Sequence, residues 1–306
     1  MNRSGQDVSS VEAADSPSRA ELAQANRVLA SVPPVLGHLV ANEDVALFSE
    51  EIVARTRGMI ESLAMQLARA AVEGAPHDQA RRLVALLIAE PALIAHCHAL
   101  ALEAQLTERL SREAGIDAVL SPLLQDRIAM PDADGAATAM NLLAAQARFV
   151  QCQRRMELAP EELPADLLHA VLGAYGAACG PAAQAPAIRL RESFDEARTR
   201  IALLARVVLA SGNGIADALD LERAGIALFA TAVSLASGQD RAAVILAATA
   251  GQQARFSLVL SICGLDASRS EAILLRLHPD APLPRHCFGL ARETALGLLI
   301  DGEAAR

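Results

Sequence analysis

The side chains of this 306-residue chain best suited to metal, phosphoryl or nucleophilic chemistry are its seven histidines and five cysteines. Their spacing limits what they can do. His96-Cys97-His98 sets three candidate ligands in a row. On a helix, however, residues two apart point to nearly opposite faces, so the two imidazoles cannot reach one ion. They read as core or surface histidines. Cys97, Cys152, Cys179, Cys263 and Cys287 are odd in number, widely spaced and free of any Cys-x-x-Cys pair. That pattern reads as small buried thiols of a reducing compartment, not a disulfide frame or a zinc site. All 27 basic residues are Arg. With no Lys, Schiff-base catalysis and a Gly-Lys-Ser phosphate loop are excluded. No Gly-x-Ser-x-Gly, Gly-x-Gly-x-x-Gly or Asp-Asp-x-x-Asp stretch is present, and Gly212-Asn-Gly214 reads as a helix stop. No residue is assigned a catalytic, cofactor-binding or metal-binding role, and no cofactor is expected.

Three histidine segments invite comparison with known chemistry. His77-Asp78 resembles the paired ligands of HD-type phosphohydrolases, but it follows Gly74-Ala-Pro76 and precedes Gln79-Ala-Arg-Arg82. It reads as a helix start with Asp78 as cap. Asp166-Leu-Leu-His169 is the nearest approach to Glu-x-x-His, of which a di-iron bundle needs two copies. The same histidine opens His169-Ala-Val-Leu-Gly173-Ala-Tyr-Gly176, which resembles the helix of histidine-phosphotransfer domains. There an exposed imidazole on a four-helix bundle carries a phosphoryl group. The family places Lys three residues after the His, and this chain has Leu172. Phosphotransfer through His169 requires the ring to be exposed.

The elements that must position such residues are helices. Hydrophobic residues make up 53% of the chain and aromatic ones 2%, with no Trp and one Tyr. A core of Leu, Ala, Val and Ile weighted toward Leu and Ala favours helix over strand. The fold class is therefore all-α. A net charge of −9 opposes broad nucleic-acid affinity. The start of the chain shows no signal-peptide pattern and no apolar run reaches about 18 residues, so a cytoplasmic protein without a membrane span is expected.

Caps and breakers divide the chain. Residues 1–18 read as a disordered tail. Asn42 or Ser49 starts a long helix ending before Gly74, and helices follow over about 78–89 and from Pro91 toward Gly115. Asp117 and then Asp132 or Asp134 start the next two, and another follows Pro164. Cys179-Gly-Pro-Ala-Ala-Gln-Ala-Pro186 is the expected linker. Beyond it, helices are expected over 187–210, from Asp220 to Gly238, from Asp240 to Gly264, and over 268–277 and 284–299.

The chain also repeats itself. Glu51-Ile-Val-Ala-Arg-Thr-Arg57 is echoed by Asp195-Glu-Ala-Arg-Thr-Arg200, and Arg112-Glu-Ala-Gly-Ile116 by Glu222-Arg-Ala-Gly-Ile226. Ala145-Gln-Ala-Arg-Phe149 returns as Gln252-Gln-Ala-Arg-Phe256, and Leu163-Pro164 as Leu283-Pro284. The order implies two related helical halves, 19–178 and 188–301, with HEAT-like or bundle packing. The echoed Arg55, Arg57, Arg148, Arg198, Arg200 and Arg255 are read as pairing with acidic residues of neighbouring helices, the alternative being patches that dock an acidic partner.

Arg148-Phe-Val-Gln-Cys-Gln-Arg-Arg-Met-Glu157, Glu162-Leu-Pro-Ala-Asp-Leu167 and Leu235-Ala-Ser-Gly-Gln-Asp-Arg241 resemble segments of uncharacterised alphaproteobacterial proteins grouped as a domain of unknown function with HEAT-like helices. The resemblance implies a bacterial, cytoplasmic helical protein and supplies no catalytic residues. The function expected is a non-catalytic protein-interaction or regulatory scaffold, binding another protein or forming a homodimer. The alternatives are a phosphorelay element using His169, and a small-ligand binder or enzyme with a pocket between the halves.

Overall fold

Every regular element among the described residues is a helix, as a Leu/Ala-filled core poor in β-branched and aromatic side chains dictates. The computed structural model describes residues 19, 21–28, 30, 50–71, 76–210 and 214–304. The tail expected over 1–18, the candidate caps Asn42 and Ser49, and Gly212 lie outside them.

In chain order the helices are α1 (21–28), α2 (Glu50–Ala71), α3 (His77–Ile88), α4 (Pro91–Ala114), α5 (Pro122–Ile128), α6 (Ala133–Arg154) and α7 (Ala165–Cys179). They continue with α8 (Gln184–Ser193), α9 (Arg200–Leu209), α10 (Leu221–Ser237), α11 (Arg241–Ala247), α12 (Gln253–Ile262), α13 (Ala267–Leu277) and α14 (Arg292–Ala304). No single described helix is long and apolar enough to cross a membrane. Together α3 and α4 reach the length, but they meet at 92°.

The chain forms two compact units, residues 33–228 and residues 1–32 with 229–306. In the first, α2 packs on α3 and α4, α3 packs on α7, and α6 packs on both α5 and α9. The middle of this unit is α4, whose stretch from Cys97 to Ala104 is buried on every side. That fits a helix with no polar face between His98 and Glu103. Its end is set by Gly115, which takes the left-handed conformation (φ 67°) and caps it. Where Gly58 of α2 lies, an added Cβ would come within 2.6 Å of Met156 Cβ, so the close approach requires glycine.

The second unit gathers α11, α13 and α14 around α12, every residue of which from Ala254 to Ile262 is buried. Phe229 and Phe256 meet edge to face there, with centroids 6.5 Å apart. Helix α1 belongs to this unit. Its Leu22 is fully buried, Gln252 Nε2 donates to the Ala25 carbonyl at 3.3 Å, and Arg255 donates to Asn26 Oδ1.

Several expectations differ in detail. Asp78 does not cap α3, whose preceding residue is Pro76; it sits in the first turn, where its charge suits the helix dipole. Asp117 caps the turn 117–120, and Ser121 caps α5. The expected linker 179–187 is helical: Gly180–Ala183 forms a 3-10 turn that runs into α8. The single helix expected over 187–210 is broken between Ser193 and Arg200, because Asp195 and Thr199 accept from the backbone N–H groups of Ala197 and Ala202 and start new turns. Likewise 284–299 splits into a turn at Arg285–Cys287 and α14.

The echoed segments occupy different settings. Residues 51–57 fill the first turns of α2, whereas 195–200 form a 3-10 turn and the first residue of α9. Gly115 ends a helix, while Gly225 kinks α10 (φ 67°, ψ 167°).

Candidate functional site

The most polar feature of the core begins at Arg200, the first residue of α9. Its Nη1 donates to Glu103 Oε1 and to Gln146 Oε1, both at 2.9 Å, and its Nη2 donates to Glu103 Oε2 at 2.8 Å. The Arg200 and Glu103 side chains are 4% and 0% exposed. The guanidinium lies 3.7 Å from the centre of the Phe149 ring, a cation–π contact. Glu162 Oε2 accepts from the Arg200 backbone N–H at 3.1 Å, and Gln146 Nε2 donates to the Ala118 carbonyl at 3.0 Å. One fork-shaped cation therefore joins α4, α6 and α9. A buried ion pair with its hydrogen bonds made in this way fixes register between helices more than it adds net stability.

Beside this network lies a cleft of about 100 Å³ lined by Leu100, Ala145, Phe149, Leu158 and Ile201, with Arg148 and Glu162 at 3.9 Å from each other among its walls. Gln153 lines it too. Its Nε2 approaches Met59 Sδ at 3.2 Å, and its buried Oε1 accepts no hydrogen bond. The thiol here, Cys152, is pushed up by burial and by the nearby Glu157 and Glu162 carboxylates, which keeps it protonated and poorly nucleophilic. The geometry suits binding a small apolar group.

The sequence-predicted residues are dispersed. Cys97 is fully buried, and burial pushes its thiol up to about 12; Cys263 is pushed up to about 12 by the same cause. Burial holds His98 down at about 4, so it is neutral. His77 and Asp78 are exposed at the start of α3. His169 is exposed on α7, with Asp166, also exposed, one turn before it. Leu172, at the position where phosphotransfer domains carry Lys, is buried at 3% exposure, so this position does not face a group held on His169.

The duplicated arginines are mostly in ion pairs. Arg55 donates to Glu51 at 2.7 Å and reaches Glu108 of α4 at 2.9 Å, while Arg57 pairs with Glu61 at 2.9 Å. Arg198 is exposed.

Two further sites were not marked by sequence. An open groove of about 460 Å³ is lined by Met130, Asp132, Asp134, Arg206 and Leu209, and Leu209 and Met130 are 58% and 43% exposed. In the other unit Glu21, His286 and Cys287 bring one potential metal-ligand atom each within 4.8 Å of one another. These three come from opposite ends of the described chain, so no spacing rule could join them.

The chain matches no protein-family model, no curated protein and no solved structure. What the helices and sites define is an all-α protein.

Proposed function

We propose that this is a non-catalytic interaction protein that binds another protein through the groove between α5, the start of α6 and the end of α9. The observation that carries this reading is the pair of exposed apolar side chains, Leu209 and Met130, on a groove that also holds Asp132, Asp134 and Arg206. Apolar anchors within a charged rim are the usual anatomy of a protein contact. Two related HEAT-like halves and a bacterial cytoplasmic setting belong to the same reading, supported by the sequence echoes and the resemblance. The test is crosslinked affinity capture of the tagged chain from its host. Leu209→Glu with Met130→Glu abolishes recovery of the partner, or of a second copy, whereas Ile188→Glu, an exposed apolar position on α8, leaves it intact. Equal recovery from the unaltered chain, the double variant and the Ile188→Glu variant overturns the reading.

A second reading rests on the exposure of His169, on a helix packed against α2 and α3. Phosphotransfer through this ring predicts acid-labile phosphohistidine after incubation with acetyl phosphate, lost in His169→Gln. No label on the wild-type chain ends this alternative.

A further inference from the structure

We propose that Glu21, His286 and Cys287 form a binding site for one zinc-class divalent ion. His286 Nε2 lies 3.4 Å from Glu21 Oε2, and the three ligand atoms lie within 4.8 Å of one another. A tetrahedral zinc ion with Zn–S near 2.3 Å and Zn–N or Zn–O near 2.0–2.2 Å separates its ligand atoms by about 3.3–3.6 Å. The His–Glu separation already has this value, and the sulfur has to move in by up to about 1.5 Å.

A second observation points to a ligand. His286 Nε2 is out of contact with solvent and makes no hydrogen bond of good geometry, even with the carboxylate beside it. A ring nitrogen shielded from water and held only by a 3.4 Å ion pair is incompletely satisfied, which an ion would offset, while the side chain as a whole stays 29% exposed. Cys287, 0% exposed, supplies a soft donor, and the Cys/His/Glu set suits zinc ahead of magnesium or calcium.

The backbone holding these ligands is fixed before any ion arrives. The Cys287 N–H donates to the Pro284 carbonyl at 2.8 Å, and Ser261 Oγ of α12 donates to the Cys287 carbonyl at 3.3 Å. Gly289, at φ 61°, approaches the Ala267 backbone so closely that a Cβ would lie 3.2 Å from its nitrogen. Glu21 is half exposed at the start of α1 and gives the site its side toward solvent. Binding breaks the S–H bond of Cys287, forms a Zn–S bond and releases one proton to the buffer. Three protein ligands leave the fourth position to water. The ion ties α1 to the segment preceding α14.

The experiment uses the full chain, stripped with chelator and titrated with Zn²⁺ by calorimetry and with Co²⁺ by absorption. The expected result is one ion per chain, with a thiolate-to-cobalt charge-transfer band. Cys287→Ser removes the band. Glu21→Gln, at a half-exposed position, leaves folding intact and weakens Zn²⁺ binding at least tenfold, and His286→Gln does the same. Lack of saturable binding overturns the site. So does a cobalt band that survives Cys287→Ser, or zinc affinity unchanged by Glu21→Gln. Should Cys287→Ser fail to fold, the Glu21→Gln titration decides alone.

Discussion

At Arg200 and Glu103 the two charges are as fully withdrawn from water as any in the described chain, at 4% and 0% exposure. Breaking such a pair from one side strands the other charge, so Glu103→Leu is expected to cost about 3–5 kcal/mol. Replacing both, Glu103→Leu with Arg200→Met, removes the stranded charge and lies closer to wild type than either single variant. Urea unfolding of the four proteins gives the coupling directly. His98 makes a pH prediction. The folded protein holds it at about 4 while the unfolded chain protonates near 6.5, so between these values only the unfolded state gains the proton. Stability is full above about 6.5 and falls as pH drops toward 4, by about 3 kcal/mol from this one group. His98→Leu flattens that slope in denaturant melts across pH 4–6.5. The sequence marked Arg200 and Gln146, as parts of two separate echoes, but neither Glu103 nor the contact that joins the three. Glu103 and Gln146 lie 97 and 54 residues away, on helices whose apposition no local pattern encodes.

Helix starts were legible where a side chain makes them. Pro91 opens α4, and Asp132, Asp220 and Asp240 accept hydrogen bonds from the first free N–H groups of their helices. The break between α8 and α9 carried the same signal, at Asp195 and Thr199. No Gly or Pro stands between Pro186 and Gly212 to reinforce it, so the stretch reads as one helix until the two caps are placed. Gly225 is the opposite case, a single residue bending α10 where the repeat suggested only an echo. Its φ of 67° with ψ of 167° is open to glycine almost alone. A Cβ there would lie 3.5 Å from Ser121 Cβ, an ordinary contact, so the cost of Gly225→Ala is backbone strain of about 1–3 kcal/mol. The unfolding midpoint in urea should fall accordingly with its m-value unchanged.

For the whole molecule, the all-α class followed from composition, because Leu and Ala need no β-branched neighbours to fill a core. The partition into units did not, since it depends on α1 packing with segments more than two hundred residues away. Deleting residues 1–30 removes Leu22 and Ala25 from a buried interface and takes Asn26 from Arg255, which is 3% exposed. Limited proteolysis of that variant should cut within 229–306 while α2–α9 stay resistant. A cleavage pattern unchanged from the full chain would show that α1 contributes nothing to this unit.

The unit containing α1 is interrupted by the whole of the other, residues 33–228. During synthesis α1 emerges first, yet Gln252, Arg255 and His286 are made last. At the usual elongation rate of about 5–20 residues per second, the ribosome spends about 10–40 s on the intervening segment. Throughout that interval the apolar face of α1, with Leu22 at its centre, has none of its native partners to cover it. The nascent chain therefore carries Leu22 and Ala25 uncovered for tens of seconds, in a segment too short to hold a helix by itself, while the intervening unit completes its own fold.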